Sequence, residues 1–285
     1  RKNTSFICFT LFIIAVILIG CAKKDNKTHI KFSTWGSETE ITILKPIIKD
    51  FETQNPDINF ELMHIPQNYF QKLHMLVAAN LTPDVIFINN LNIPLYASGN
   101  IFKNLEPFLK KSTKVSKNQF YQKSLDAMSY NNKLVGIPRD ISTVVIYYNK
   151  ELFKAYSIKE PKNTWTFQDY LTTAKALTKD VNQDGKIDIF GTSFDNLFLF
   201  YLPYAWSYNG NLFDKSKTKF LLGNKPGCEG LQFYSDLRNK NHVAPDLAEK
   251  GNNTSFQMFL QGKIAMYLSG RWIVPKLESE ATFEY

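Results

Sequence analysis

Cysteine is nearly absent. The 285 residues hold three, Cys8, Cys21 and Cys228. Cys8 and Cys21 lie in the N-terminal stretch, so the remainder keeps one thiol and no disulfide framework within it. A zinc cluster is excluded too, because His29, His64, His74 and His242 stand far apart and lack ligand spacing. No G-x-S-x-G elbow and no glycine-rich loop ending in Lys and Ser/Thr is present, so acyl-transfer and phosphate-loop chemistry find no support. No His-centred triad is suggested. The net charge is +8, yet lysines are scattered among acidic residues and form no tract spaced for nucleic acid. Internal repeats and low-complexity tracts are missing. So is any second hydrophobic run long enough for a pore.

What is present first is a leader-like start. Arg1 and Lys2 are followed by an almost wholly apolar run over residues 6–19, short for a spanning helix. The LIGC of residues 18–21 resembles the lipobox of bacterial lipoproteins. That resemblance implies a signal peptide over 1–20, cleavage before Cys21 and lipid on its sulfur. Residues 21–28 then form a polar tether to the membrane. Loss of Arg1 and Lys2 takes the charge from +8 to +6. The competing reading is an uncleaved helix that ends at a cysteine. Acyl chains anchor by burying CH₂ groups, so the expected location is extracytoplasmic and lipid-anchored.

The rest is globular in composition, 44% apolar and 21% charged, and long enough for two domains. Residues 29–36 read as a strand entering a loop. Ser37 and Glu40 are spaced as a capping box, and Leu44, Ile47, Ile48 and Phe51 mark a helical face. Pro46 should kink that helix or start it. A second strand is expected over 58–66, a helix over 69–80 and a buried strand over 83–89. This alternation predicts an α/β fold with a mostly parallel sheet. Farther on, helices are expected over 120–128, 227–239 and 254–261, and one capped by Thr166 and Asp169. Strands are expected over 144–148 and 263–272. The Pro-Arg-Asp kink before 144 suits a domain crossing, giving lobes over 29–139 and 140–285.

Three of the four tryptophans, Trp35, Trp206 and Trp272, sit at element ends or in aromatic turns. Trp35, Asn89, Asn90 and Asp140 fall at or past the carboxyl ends of strands, where open α/β sheets bind ligands. Flat rings stack on sugar C–H faces, and amides and carboxylates accept hydroxyls. The competing reading has each tryptophan filling core space. Asp180, Asn182, Asp184, Gly185 and Asp188 match calcium-loop positions one, three, five, six and nine, and Lys186 could offer its carbonyl. Gly191 stands at position twelve, where a bidentate Glu is needed. The alternative is a turn built on side-chain-to-backbone bonds. Glu38 and Asp140 could be imagined as a glycosidase pair, without support for their separation.

Seven segments then carry a family resemblance: IKFSTWG, IIKDFETQNPDINFEL, YFQKLHMLVAANLTPDVIFIN, LYASGNIFKNLEPFL, KLVGIPRDISTVVIYYNKELF, TWTFQDYLTTAKALTKD and FLQGKIAMYLSGRW. In this order the chain resembles the maltose-binding-protein-like solute-binding lipoproteins of carbohydrate ABC importers. The resemblance implies a periplasmic-binding-protein-like fold, two lobes with a hinge and an interlobe cleft. It implies a monomer that binds without catalysis, requires no cofactor, and delivers its ligand to ABC permease subunits. Trp35, Glu38, Asn89, Asn90, Asp140, Trp206, Arg271 and Trp272 become the ligand-binding candidates. Arg271 is a less usual neighbour for the aromatic, and keeps polyol phosphates such as glycerol 3-phosphate open. A sugar sensor and a secreted carbohydrate-active enzyme are the further alternatives. Members usually continue for more than a hundred residues after SGRW, so a C-terminally truncated chain is expected.

Overall fold

The computed structural model describes residues 27–195, 197–216 and 218–285. The expected signal peptide, the lipidation at Cys21 and most of the tether lie outside them. Among the described residues no helix is long and apolar enough to cross a membrane. The chain divides into two compact units at Pro138/Arg139.

Unit 1 is built on a three-stranded parallel sheet, ordered β2-β1-β3. β1 is Thr28–Thr34, β2 is Ile58–His64 and β3 is Val85–Ile86. β1 pairs with β2 from Thr28↔Ile58 to Thr34↔His64, and with β3 at Phe32↔Val85 and Ser33↔Ile86. The third strand is shorter than the sequence suggests, although Phe87 N still donates to Ser33 O at 2.8 Å. The helix Glu38–Gln54 starts at the expected capping box: Ser37 N donates to Glu40 Oε2 at 2.8 Å and Glu40 N to Ser37 Oγ at 3.3 Å. It runs unbroken through Pro46. Proline removes the N–H that would meet the Thr42 carbonyl, but Thr42 and Pro46 are both exposed, where water can serve that oxygen. The buried face also differs from expectation. Ile41 is buried and Leu44 and Ile48 half-buried, whereas Ile47 is 60% exposed. Among these residues only Ile41, in the first turn, is fully buried.

Unit 2 departs from a mostly parallel plan. β6, Val144–Tyr148, pairs antiparallel with β7, Met266–Gly270, from Val144↔Gly270 to Tyr148↔Met266. The short antiparallel strands β4, Ser129–Tyr130, and β5, Lys133–Leu134, close unit 1 before the division. Alternation of strands and helices constrains neighbours in sequence. β6 and β7 are separated by most of the unit, so alternation leaves their direction open. The segment before the helix Phe198–Ser207 does run parallel to β7, through bridges Phe190↔Ile264 and Ser193↔Tyr267. The helix Phe167–Leu177 has its expected Thr166–Asp169 capping box and buries Tyr170, Ala174 and Leu177. Phe153, Phe194 and Phe200 fill the centre of the core, each at most 2% exposed. Burying each such ring is worth about 1.5–3 kcal/mol.

The helix Phe198–Ser207 is absent from the sequence-based expectations; Pro203 is accommodated in its second turn. It packs against the helix Lys225–Asn239 at a point of backbone contact. A Cβ on Gly230 would lie 2.5 Å from Tyr204 O and 2.6 Å from Ala205 Cα. Helix propensity would favour alanine there by about 1 kcal/mol. The overlap is with backbone, which cannot rotate away, and overpacking costs about 1–3 kcal/mol. Gly230→Ala is therefore expected to lower the denaturation midpoint. Gly223→Ala, at a position where a Cβ meets nothing within 4 Å, should leave it nearly unchanged. Chemical denaturation followed by circular dichroism checks both.

Candidate functional site

In unit 1 the parallel strands deliver four candidates to one end of the sheet. Trp35 follows β1, Glu38 opens the next helix, and Asn89 and Asn90 follow β3. Trp35 is half-buried. Its ring stacks on Phe87 with centroids 4.1 Å apart and meets Tyr69 edge-on at 5.0 Å. Tyr69 in turn shares a 2.8 Å hydrogen bond with the buried Ser33 hydroxyl and donates to Ser33 O at 3.2 Å. The side-chain oxygen of Asn89 accepts from Asn92 N at 3.2 Å and Asn92 Nδ2 at 2.8 Å, which organises the loop. Asn90 is exposed. Glu38 Oε1 lies 3.5 Å from His64 Nδ1, while His64 Nε2 sits 2.9 Å from Gly36 O. These contacts tie β2 to the loop after β1.

In unit 2 the β6–β7 register brings Ser142 and Arg271 together at one end of the ladder, with Asp140 two residues before Ser142 and Trp272 next after Arg271. Val144 opens β6 opposite Gly270, which closes β7. Arg271 N donates to Ser142 Oγ at 3.0 Å, joining the loop before β6 to the turn after β7. Asp140 pairs with its neighbour Arg139, with Nη2 at 2.6 Å. Instead of continuing as strand to 272, the chain turns into a short 3₁₀ helix, Arg271–Ile273. Trp272 is 44% exposed, and its ring packs 6.4 Å from Phe200. Trp206 is 53% exposed, six residues beyond Phe200 on the helix Phe198–Ser207. The fourth tryptophan, Trp165, packs near Tyr170 at 6.2 Å.

Two residues that seat the tryptophans go unread in the sequence. Phe87 lies in an apolar run with nothing to mark it as a platform. Gly270 has φ −113° and ψ 179°, an extended conformation open to any residue. Its glycine signals a space requirement, visible only once Trp272 is placed.

The Asp180–Asp188 loop holds itself with backbone donors. Asp180 accepts from Asp184 N at 3.2 Å and Gly185 N at 2.9 Å, and Asp188 accepts from Val181 N at 2.7 Å. A Cβ at Gly191 would fall 1.8 Å from Ala174 O, so position twelve can hold no side chain. Among the described residues no group of three or more His, Cys, Asp or Glu is placed to hold a metal ion.

A family profile described as bacterial extracellular solute-binding protein matches residues 35–282. The chain belongs to this family. Among curated relatives, the arabinooligosaccharide-binding protein of Bacillus subtilis is 22% identical over 285 residues, covering 95% of this chain and 63% of its own length. The multiple sugar-binding protein of Streptococcus mutans is 24% identical, covering 94% of this chain and 64% of its own. An ABC substrate-binding protein of Listeria monocytogenes, solved with cycloalternan, superposes with a TM-score of 0.84 at 27% identity, over 90% of this chain and 65% of that one. The chain thus spans less than two thirds of these relatives. The matching fold is the α/β periplasmic-binding-protein-like one expected from the sequence. In this solute-binding protein the eight candidates fall into two sets, four in each unit.

Burial pushes the Tyr69 phenol up to about 12, against the opposing hydrogen bond from Ser33. Unfolded tyrosine loses its proton near pH 10. The stabilisation from the neutral, buried phenol is therefore full below pH 10 and is lost as pH rises through about 12. Tyr69→Phe should reduce the alkaline loss of stability in that window. At neutral pH it should cost about 1–3 kcal/mol, because the Ser33 hydroxyl stays buried without its partner. Denaturation series at pH 7 and across pH 10–12 measure both.

Proposed function

We propose that this protein binds a sugar or oligosaccharide outside the cytoplasmic membrane and passes it to the permease subunits of an ABC importer. The observation that carries the reading is Trp272: a ring 44% exposed, in the turn that follows β7 and next in sequence to Arg271. An exposed indole face offers apolar contact to sugar C–H groups, and nearby charged and amide groups pair with hydroxyls. Relatives named for arabinooligosaccharide and multiple-sugar binding support the ligand class. Lobe closure around the solute belongs to the same proposal, driven by the solute's higher affinity for the closed form. Anchoring through lipid on Cys21 completes it. The LIGC motif supports that step, and Cys21→Ala should move the protein from the membrane to the soluble fraction.

Arg271 favours one second reading, a polyol phosphate such as glycerol 3-phosphate, because a guanidinium pairs bidentately with phosphate. Enzyme action draws less support. Both carboxylates considered for it already have partners, Glu38 with His64 and Asp140 with Arg139. At Asp180, Asn182, Asp184, Lys186 and Asp188 a hydrogen-bonded turn is favoured over a calcium site, since position twelve is closed. Melting temperatures in millimolar calcium and in EGTA should agree; a clear rise with calcium would give the loop a structural cation.

A thermal-shift screen with maltotriose, tagatose, cycloalternan and glycerol 3-phosphate tests the ligand class on the full chain. A carbohydrate is expected to raise the melting temperature, and stabilisation by glycerol 3-phosphate alone would select the second reading. Trp272→Ala should weaken carbohydrate binding about tenfold or more, about 1.4 kcal/mol, and should weaken binding more than folding. Equal affinity in calorimetry would remove Trp272 from the site.

A further inference from the structure

Gly270 is buried at the last position of β7, opposite Val144. Its backbone angles permit any residue, so no turn demands glycine there. Space does. A Cβ built on Gly270 would lie 2.0 Å from Cζ3, 2.3 Å from Cη2 and 2.5 Å from Cε3 of Trp272. The three nearest heavy atoms all belong to the six-membered ring of that one side chain. The indole therefore folds back over the strand end and occupies the volume of the missing side chain. Its neighbours are fixed from other directions. Tyr147 Oη donates to Gly270 O at 3.2 Å, and Arg271 N is held by Ser142 Oγ at 3.0 Å. The backbone on either side of the ring's seat is thus pinned, and cannot retreat to admit a methyl group.

We infer that Gly270 is a positioning residue for ligand recognition: by having no side chain it sets the orientation in which Trp272 presents its open face. This deepens the carbohydrate reading and rests on it. A ring stacked on a sugar must lie at a defined height and tilt, and a displaced ring loses contact across its whole face. Alanine at 270 leaves the strand conformation allowed and forces the ring off its seat, since carbon atoms cannot approach within 2.5 Å.

A double-mutant cycle separates this role from simple packing. The four full chains are wild type, Gly270→Ala, Trp272→Ala and the double variant. Melting temperatures and calorimetric affinities for maltotriose and cycloalternan are measured on each. Gly270→Ala should lower the melting temperature while Trp272 is present, and cost little once the ring is removed. It should also weaken carbohydrate binding at least tenfold in the Trp272 background, with no further loss beyond Trp272→Ala in the double variant. Equal effects of Gly270→Ala in both backgrounds would overturn the inference, as would unchanged affinity of the single variant. If wild type binds neither probe nor any other carbohydrate tested, the functional reading falls by itself, and the recognition role falls with it. The melting cycle still reports separately whether the ring is seated on Gly270.

Discussion

One antiparallel ladder, Val144–Tyr148 against Met266–Gly270, organises everything proposed for unit 2. Its five residue pairs fix which loop meets which turn: the segment before Val144 and the segment after Gly270 emerge together. β7 is buried along its whole length, so the ladder is anchored in the core and its register resists slipping. A shift of one residue would turn Met266 and Leu268 away from the core side they now occupy. Ser142 and Arg271 meet because of that register, and the hydrogen bond from Arg271 N to Ser142 Oγ then joins the two segments.

Local chemistry was readable in advance, and long-range geometry was not. The boxes at Ser37–Glu40 and Thr166–Asp169 appear as expected, because a cap needs only residues three apart. The strand Val144–Tyr148 was legible for a similar reason, being a short run of β-branched and aromatic residues bounded by polar ones. The helix Phe198–Ser207 was not among the expectations; local preference counts against its Pro203, and tertiary packing on the helix Lys225–Asn239 overrides that preference. The antiparallel direction of β7 and the closure of position twelve by Ala174 O both depend on partners distant in sequence. The candidate residues could be named from strand ends and family motifs. Their partners, Phe87 under Trp35 and Gly270 under Trp272, could not.

The polar phenols held inside the two units are kept neutral by burial. Burial pushes Tyr69 and Tyr234 up to about 12 and raises Tyr204 and Tyr267 as well, so these phenols stay neutral and hydrogen-bonding. At the candidate positions Asp140 pairs with Arg139 on the surface, and Glu38 lies 3.5 Å from the imidazole of His64. A site so furnished offers dipoles, fixed charges and ring faces. Those orient a ligand and give discrimination, because a mismatched solute leaves polar groups unpaired.

The tryptophans also divide by how much of each ring remains for a ligand. Trp35 is enclosed by Phe87, Tyr69 and Phe70, which makes it a stiff wall that shapes the sheet end. Trp272 has the strand backbone behind it and solvent before it. Stacking energy scales with the face made available and with how little order must be imposed on binding. An enclosed ring meets the second requirement at the expense of the first, and a fully mobile surface ring does the reverse. Trp272 combines the two, because its ring fills the volume left by the missing side chain of Gly270 while 44% of the residue stays exposed. The recognition chemistry of unit 2 therefore depends on an atom the sequence leaves out as much as on the ring it supplies.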